Sequence, residues 1–205
     1  MIRVHHLNES RSQRILWLFE ELGLEYEVVG YRRNPKTYRA PAALRRLHPL
    51  GKAPIVEQDG EVLAETGAII EAFVERHGPQ LAPATAYRTY RYWMHYAEGS
   101  LMPQLLLKLV VDKLGPLGWP LRRMMREQLD LHLDFIEGEI GKRVWLTGDH
   151  FSAADIMMSF PLEIAMRRAG PGPSRPNIAR LVAAMQARPA YQRAMVRGGD
   201  ALAAV

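Results

Sequence analysis

All of the strand-like sequence in this chain lies before residue 65, and beyond residue 86 only helical spacing is found. That division constrains the fold more than any other feature. A small sheet has to be completed within roughly the first 79 residues, and the rest of the chain must bury its apolar faces as packed helices. With 205 residues, the chain can form one large domain or two small ones sharing an interface. The expected boundaries are 1–79 for the sheet domain and 86–205 for an all-helical domain. Residues 79–86, Pro-Gln-Leu-Ala-Pro-Ala-Thr-Ala, read as the linker.

Within the first domain, residues 2–6 are β-rich and form the first strand. Ser10 or Ser12 opens a helix whose stripe is Ile15, Leu16, Leu18, Phe19 and Leu22, and Gly23 ends it. Tyr26–Val29 is the second strand. One helix between two strands makes a βαβ unit, so these strands should run parallel. Residues 31–52 are loop and short helix. Ala53–Glu57 is a third strand, Asp59-Gly60 a hairpin turn, and Glu61–Ala64 the antiparallel return. Thr66 caps a further helix that ends at Gly78-Pro79. The order βαβ then ββα is that of a thioredoxin-like α/β domain. Helical patterns follow at about 86–113, 119–142, 153–169, 177–187 and 189–197.

Several functions are excluded or disfavoured. The chain has no cysteine, which removes disulfides, thiolate metal sites and a cysteine nucleophile. The seven histidines are scattered. His5 and His6, adjacent in a strand, should point to opposite faces, so no metal is expected. Apolar runs such as 105–107 and 109–111 are broken by Lys108 and Asp112, so no membrane span is expected. The start of the chain has no apolar signal core, which makes the cytoplasm the expected location. The net charge of +5 comes from residues 83–205, with 16 basic against 11 acidic residues. Its basic pairs, Arg122-Arg123, Lys142-Arg143 and Arg167-Arg168, are dispersed, so solvated helix faces are favoured over a nucleic-acid surface.

Four features could carry chemistry. Ser10 and Ser12 stand where a helix begins, and free N–H groups and the helix dipole there favour an anion. A serine at that point can donate to a thiolate; on local sequence alone, a plain N-cap is the simpler reading. Pro54 begins a strand. Were Ala53-Pro54 cis, Ala53 would turn its N–H and C=O outward for a peptide ligand; a trans bond would merely start the strand. Glu65 and Thr66 open the next helix, where a hydroxyl and N–H groups bind a carboxylate and the acid meets an ammonium, or where Thr66 is only a cap. Finally, no acid occurs between Val28 and Val56, a stretch holding Arg32, Arg33, Lys36, Arg39, Arg45, Arg46 and Lys52. Such a run would attract a ligand bearing carboxylates, or it is solvated surface.

Nearly the whole chain resembles the glutathione transferase family. The resemblance is carried by His5–Arg14 with Leu16–Leu24, by His48-Pro49-Leu50-Gly51-Lys52-Ala53-Pro54, by Glu65-Thr66-Gly67-Ala68-Ile69-Ile70, and by Phe151-Ser152-Ala153-Ala154-Asp155-Ile156. Some Ser-type members place the catalytic serine four residues before an arginine of the first helix. Ser10 stands four before Arg14, which makes Ser10 the first choice and Ser12 the second. The resemblance implies that Ala53, before a cis-Pro54, pairs with the cysteinyl backbone of glutathione. It places the γ-glutamyl end on Glu65 and Thr66, where the family usually has Glu-Ser. Lys52 falls beside the ligand backbone or its glycyl end, and His48 and Arg39 are candidates for the glycyl carboxylate. A structural capping role is implied for Ser152 and Asp155. A homodimer is also implied.

The chemistry that follows is thiol activation. The thiolate is the nucleophile, and a hydroxyl donor with a helix dipole lowers the thiol pKa, about 1.4 kcal/mol for each unit. Glutathione would be a co-substrate, joined to a small hydrophobic electrophile in a detoxification reaction. Tyr92, Trp93, Tyr96, Glu98, Ser100 and Met102 are electrophile-side candidates, with core or dimer packing as the alternative for each. Glutathione-dependent peroxide reduction or dehalogenation, and a non-catalytic ligand-binding protein, are the competing readings.

Overall fold

A computed structural model of the chain describes residues 1–141, 143–168 and 174–203. It divides into two compact units, Met1–Gln80 together with the segment from Gln186 onward, and Leu81–Met185.

In the first unit, β1 (Ile2–Leu7), β2 (Tyr26–Tyr31), β3 (Ile55–Gln58) and β4 (Glu61–Ala64) form one sheet in the order β2-β1-β3-β4. β1 and β2 are parallel, as a βαβ unit requires, with Val4 opposite Val28. β3 pairs antiparallel with both β1 and β4. The β3–β4 hairpin turns on Asp59 (φ 52°) and Gly60 (φ 87°), two successive positive φ values that suit an Asp-Gly turn. Helix α1 (Gln13–Leu22) buries Ile15, Leu16, Leu18 and Phe19 completely, roughly 1.5–3 kcal/mol for each side chain. It stops at Gly23, whose φ of 63° is left-handed. A short α2 (Ala43–Leu47) and then α3 (Thr66–His77) follow.

The last helix, α9 (Pro189–Ala203), packs on α1 and β2 in this same unit. Helical spacing grouped it with the other helices in 86–205, whereas it packs within the sheet-containing unit, mainly on α1 and then on β2. Arg188 holds Glu21 through two bonds of 2.6 and 2.8 Å, Arg193 and Arg197 both reach Glu20, and the Arg197 guanidinium lies 4.2 Å above the Tyr26 ring. Spacing identifies a helix but not the surface that receives it.

The second unit contains α4 (Tyr87–Tyr96), α5 (Met102–Lys113), α6 (Trp119–Ile140), α7 (Ala153–Arg168) and α8 (Pro176–Gln186). The single helix expected over 86–113 is interrupted by a wide π turn at Ala97–Leu101. The cause is Pro103, which lacks an N–H and crowds the carbonyl four residues back, at Gly99. The expected ends at 142 and 169 fall on residues outside those described, as does Lys142 of the basic pairs. α7 is buried on every side from Ala153 to Ala165, so it forms the centre of this unit. Its start shows the acid half of a capping box. Asp155 accepts from the Ser152 N–H (2.9 Å), the Ser152 hydroxyl (3.0 Å) and the Leu146 N–H (2.9 Å). Burial outweighs these bonds and pushes the Asp155 carboxyl up to about 6.

Candidate functional site

The start of α1 does not use its serines as simple caps. Ser12 occupies the N-cap position, yet its side chain makes no capping bond. Its Oγ instead accepts from the Leu7 N–H (3.2 Å) and lies 2.9 Å from His6 Nδ1 and 2.7 Å from Ser10 Oγ. Ser10 Oγ also accepts from the Ser12 N–H at 3.3 Å. Ser12 is fully buried and Ser10 only 6% exposed. No acid stands in the first turn of α1, so its positive end has no carboxylate from its own first turn. His6 is buried, and burial drops its pKa to about 4, so it is neutral at pH 7. His5 points the other way, to the Tyr31 hydroxyl (2.9 Å) and toward Glu57; burial lowers its pKa although Glu57 pulls the other way.

The loop leading into Ser10 is fastened from the segment just after β2. Arg33 donates its backbone N–H to Asn8 Oδ1 (2.7 Å) and its Nε to the Asn8 carbonyl (3.1 Å), and it also reaches the Tyr38 carbonyl. These bonds hold Glu9 at a φ of 49°, the turn that brings Ser10 and Ser12 back beneath β1. The Tyr38 hydroxyl donates to the Glu9 carboxylate at 3.2 Å. Of the seven cations between Val28 and Val56, Arg33 is therefore occupied inside the fold. Arg32, Lys36, Arg39, Arg45, Arg46 and Lys52 are exposed.

The start of α3 differs from expectation in one detail. Glu65, exposed at φ 70°, is the N-cap residue, and Thr66 is the first residue of the helix rather than its cap. The buried Thr66 hydroxyl accepts instead from Arg14 Nη2 at 3.3 Å. Arg14 is fully buried and joins the start of α1 to the start of α3. The Ala53-Pro54 bond is cis, with Ala53 packed against the Leu7, Leu44 and Ile55 cluster. His48 turns inward on its own loop, accepting from the Leu50 N–H at 3.4 Å.

Comparison with known proteins decides the family. The profile of the glutathione S-transferase N-terminal domain matches residues 10–76, and that of the C-terminal domain matches 71–197. The chain belongs to the glutathione S-transferase family. This transferase is 37% identical to glutathione S-transferase 1 of Saccharomyces cerevisiae over 82% of each chain. It is 35% identical to glutathione S-transferase 3 of Schizosaccharomyces pombe over 98% of this chain and 89% of that one. Among solved structures, a glutathione S-transferase from Actinobacillus pleuropneumoniae superposes with a TM-score of 0.88 at 35% identity, covering 97% and 93% of the two chains. A glutathione transferase homologue from Sulfitobacter, solved with bound glutathione, shares the fold at 21% identity and a TM-score of 0.81, covering 97% and 98%.

The expected α/β thioredoxin-like domain with a helical second part is thus the observed fold of this transferase. Its sheet unit joins Ser10 and Ser12 to His6, and Thr66 to Arg14, two residues not singled out as partners from sequence. A signal for His6 was available. A strand alternates faces, and His6 is the position next to Ser12's anchor, Leu7. For Arg14 the signal was a charged residue inside an otherwise apolar helix face. Tyr96 belongs to the helical unit, where its hydroxyl meets His132 Nδ1 at 2.5 Å and its ring packs with Tyr92 and Phe135. Burial raises the Tyr96 pKa, with Tyr92 adding to it. Among the described residues, no three His, Asp or Glu side chains gather as a metal site would need, and no helix is long and apolar enough to cross a membrane.

Proposed function

We propose that this transferase conjugates the thiolate of glutathione to small hydrophobic electrophiles, with Ser10 as the donor to the sulfur. The observation that carries the reading is the start of α1. Two serine hydroxyls and a neutral histidine lie in a buried line at a helix end whose first turn holds no acid. Such an end stabilises a ligand anion. The thiol releases its proton to water, the sulfur is held ionised by the Ser10 hydroxyl, and it then attacks the electrophilic carbon. Ser12 is the second candidate as donor. Its complete burial favours Ser10.

For the rest of glutathione, the γ-glutamyl carboxylate is assigned to Thr66 and the N–H groups at the start of α3, and the ammonium to Glu65. Ala53, before Pro54, is assigned to the cysteinyl backbone. Lys52 is assigned to the ligand backbone or glycyl end, with Arg39 and His48 as further candidates for the glycyl carboxylate. The exposed cations of this region support that placement. Tyr96 remains an electrophile-side candidate through its ring, because its hydroxyl is engaged by His132. A homodimer acting in cytoplasmic detoxification completes the reading.

The test is a glutathione titration followed by thiolate absorbance at neutral pH. The chain has no cysteine, so any thiolate band belongs to the ligand. A saturating band that is lost in Ser10→Ala supports the assignment. A protein that binds glutathione without a band is a non-catalytic binder.

A further inference from the structure

The hydroxyl line at the start of α1 can run in two directions, and a histidine stands at its inner end. A serine hydroxyl has one proton to give and two lone pairs to fill. In the first direction Ser10 donates to Ser12 across 2.7 Å, and Ser12 donates to an unprotonated His6 Nδ1 across 2.9 Å. The Ser10 proton then points inward and is not available to a ligand. In the second direction His6 carries its proton on Nδ1 and donates to Ser12. The Ser12 lone pairs are filled by His6 and by the Leu7 N–H, and its proton goes to Ser10. The competing acceptor for that proton, the Leu7 carbonyl, is farther away at 3.4 Å. Both Ser10 lone pairs are then filled, by the Ser12 hydroxyl and the Ser12 N–H, and the Ser10 proton can only turn outward.

We infer that His6 is a positioning residue for the transferase reaction: its Nδ1–H tautomer sets the direction of the Ser12–Ser10 line so that Ser10 offers its proton to the bound glutathione sulfur. The inference rests on the reading of Ser10 as the thiolate donor. Two observations support it beyond the distances. His6 is 7% exposed and held neutral by burial, so one ring nitrogen carries a proton and the other does not. Its Nε2 edge faces α9 at Gly198, where an added Cβ would stand 3.1 Å from Nε2. That close approach holds the ring in place with Nδ1 on Ser12.

The first test leaves the protein unaltered. With ¹⁵N-labelled histidine and saturating glutathione at neutral pH, the ring nitrogen shifts distinguish the tautomers, and the His6 signals are those absent in His6→Asn. Protonated Nδ1 is expected; protonated Nε2 in the glutathione complex overturns the inference. The second test follows the pKa of the bound thiol by thiolate absorbance against pH. Ser10→Ala should raise it by roughly one unit or more, and His6→Leu by roughly half a unit to one unit. His6→Asn, which keeps an N–H near the Nδ1 position, should recover most of that shift. A raised thiol pKa in Ser10→Ala with none in His6→Leu removes the role of His6 alone. No change in Ser10→Ala removes the donor reading, and the inference with it.

Discussion

Two helices of this protein begin at a buried serine, and the use made of each serine differs. At α7 the sequence is Ser152-Ala-Ala-Asp155, and the chain supplies its own anion. Asp155 takes the Ser152 N–H, the Ser152 hydroxyl and the distant Leu146 N–H. At α1 the sequence is Ser12-Gln-Arg-Ile15. No carboxylate is present in the first turn, and the hydroxyl joins Ser10 and a neutral His6. A helix start closed by its own acid can only be structural, since its donors are satisfied within the fold. A start lined with hydroxyls and lacking an acid still has positive potential to offer to an external anion.

The sharpest way to break this contrast is to alter the lead residue at each end. Ser10→Ala should lower kcat/KM by about 10²–10³-fold, the usual effect of removing one preorganised donor to a developing anion. Its urea unfolding free energy should change by only about 1 kcal/mol. An activity loss under tenfold would place α1 in the same structural class as α7. Asp155→Ala should do the reverse. It leaves the Leu146 and Ser152 N–H groups without their acceptor, so denaturation should show a loss of about 2–4 kcal/mol. The thiolate signal per folded molecule should remain that of the parent.

A pH series sharpens the contrast further, because the two ends titrate with opposite sign. The His6 pKa is lowered from 6.5 to about 4, so the unfolded chain binds the extra proton between those values. Its contribution is complete above pH 6.5 and is lost as pH falls toward 4, roughly 3 kcal/mol in all. The Asp155 pKa is raised from 3.8 to about 6, so its contribution is complete below pH 3.8 and is lost as pH rises toward 6. The slopes largely cancel in the parent. Urea unfolding of His6→Asn between pH 4 and 6.5 should therefore show stability falling as pH rises. The smallest expected effect is at α3. Thr66→Val removes the hydroxyl that meets Arg14 and should weaken glutathione binding about tenfold, measured by titration calorimetry. Unchanged affinity would make Thr66 a packing residue only.

Much of this molecule is legible one segment at a time. The parallel βαβ unit, the Asp59-Gly60 hairpin, the Gly23 stop and the Ser152–Asp155 box each follow from residues a few positions apart, where steric preference and short loops leave few choices. The preference for Ser10 over Ser12 rests on the family resemblance, in which a serine four residues before an arginine of the first helix is catalytic; the residues alone indicate only that a helix starts there. What spacing alone could not indicate are the partners. Arg14 meets Thr66 across 52 positions, Arg33 meets Asn8 across 25, and Arg188 meets Glu21 across 167. These pairings arise only when the sheet, α1 and α9 are packed together, because burial leaves each charged or polar group to satisfy itself with whatever the fold has brought within about 3 Å. Sequence alone determined which elements form and where hydroxyls meet a helix start. Tertiary packing decided that α9 closes on α1 and the sheet and that a buried, neutral His6 stands behind the serines.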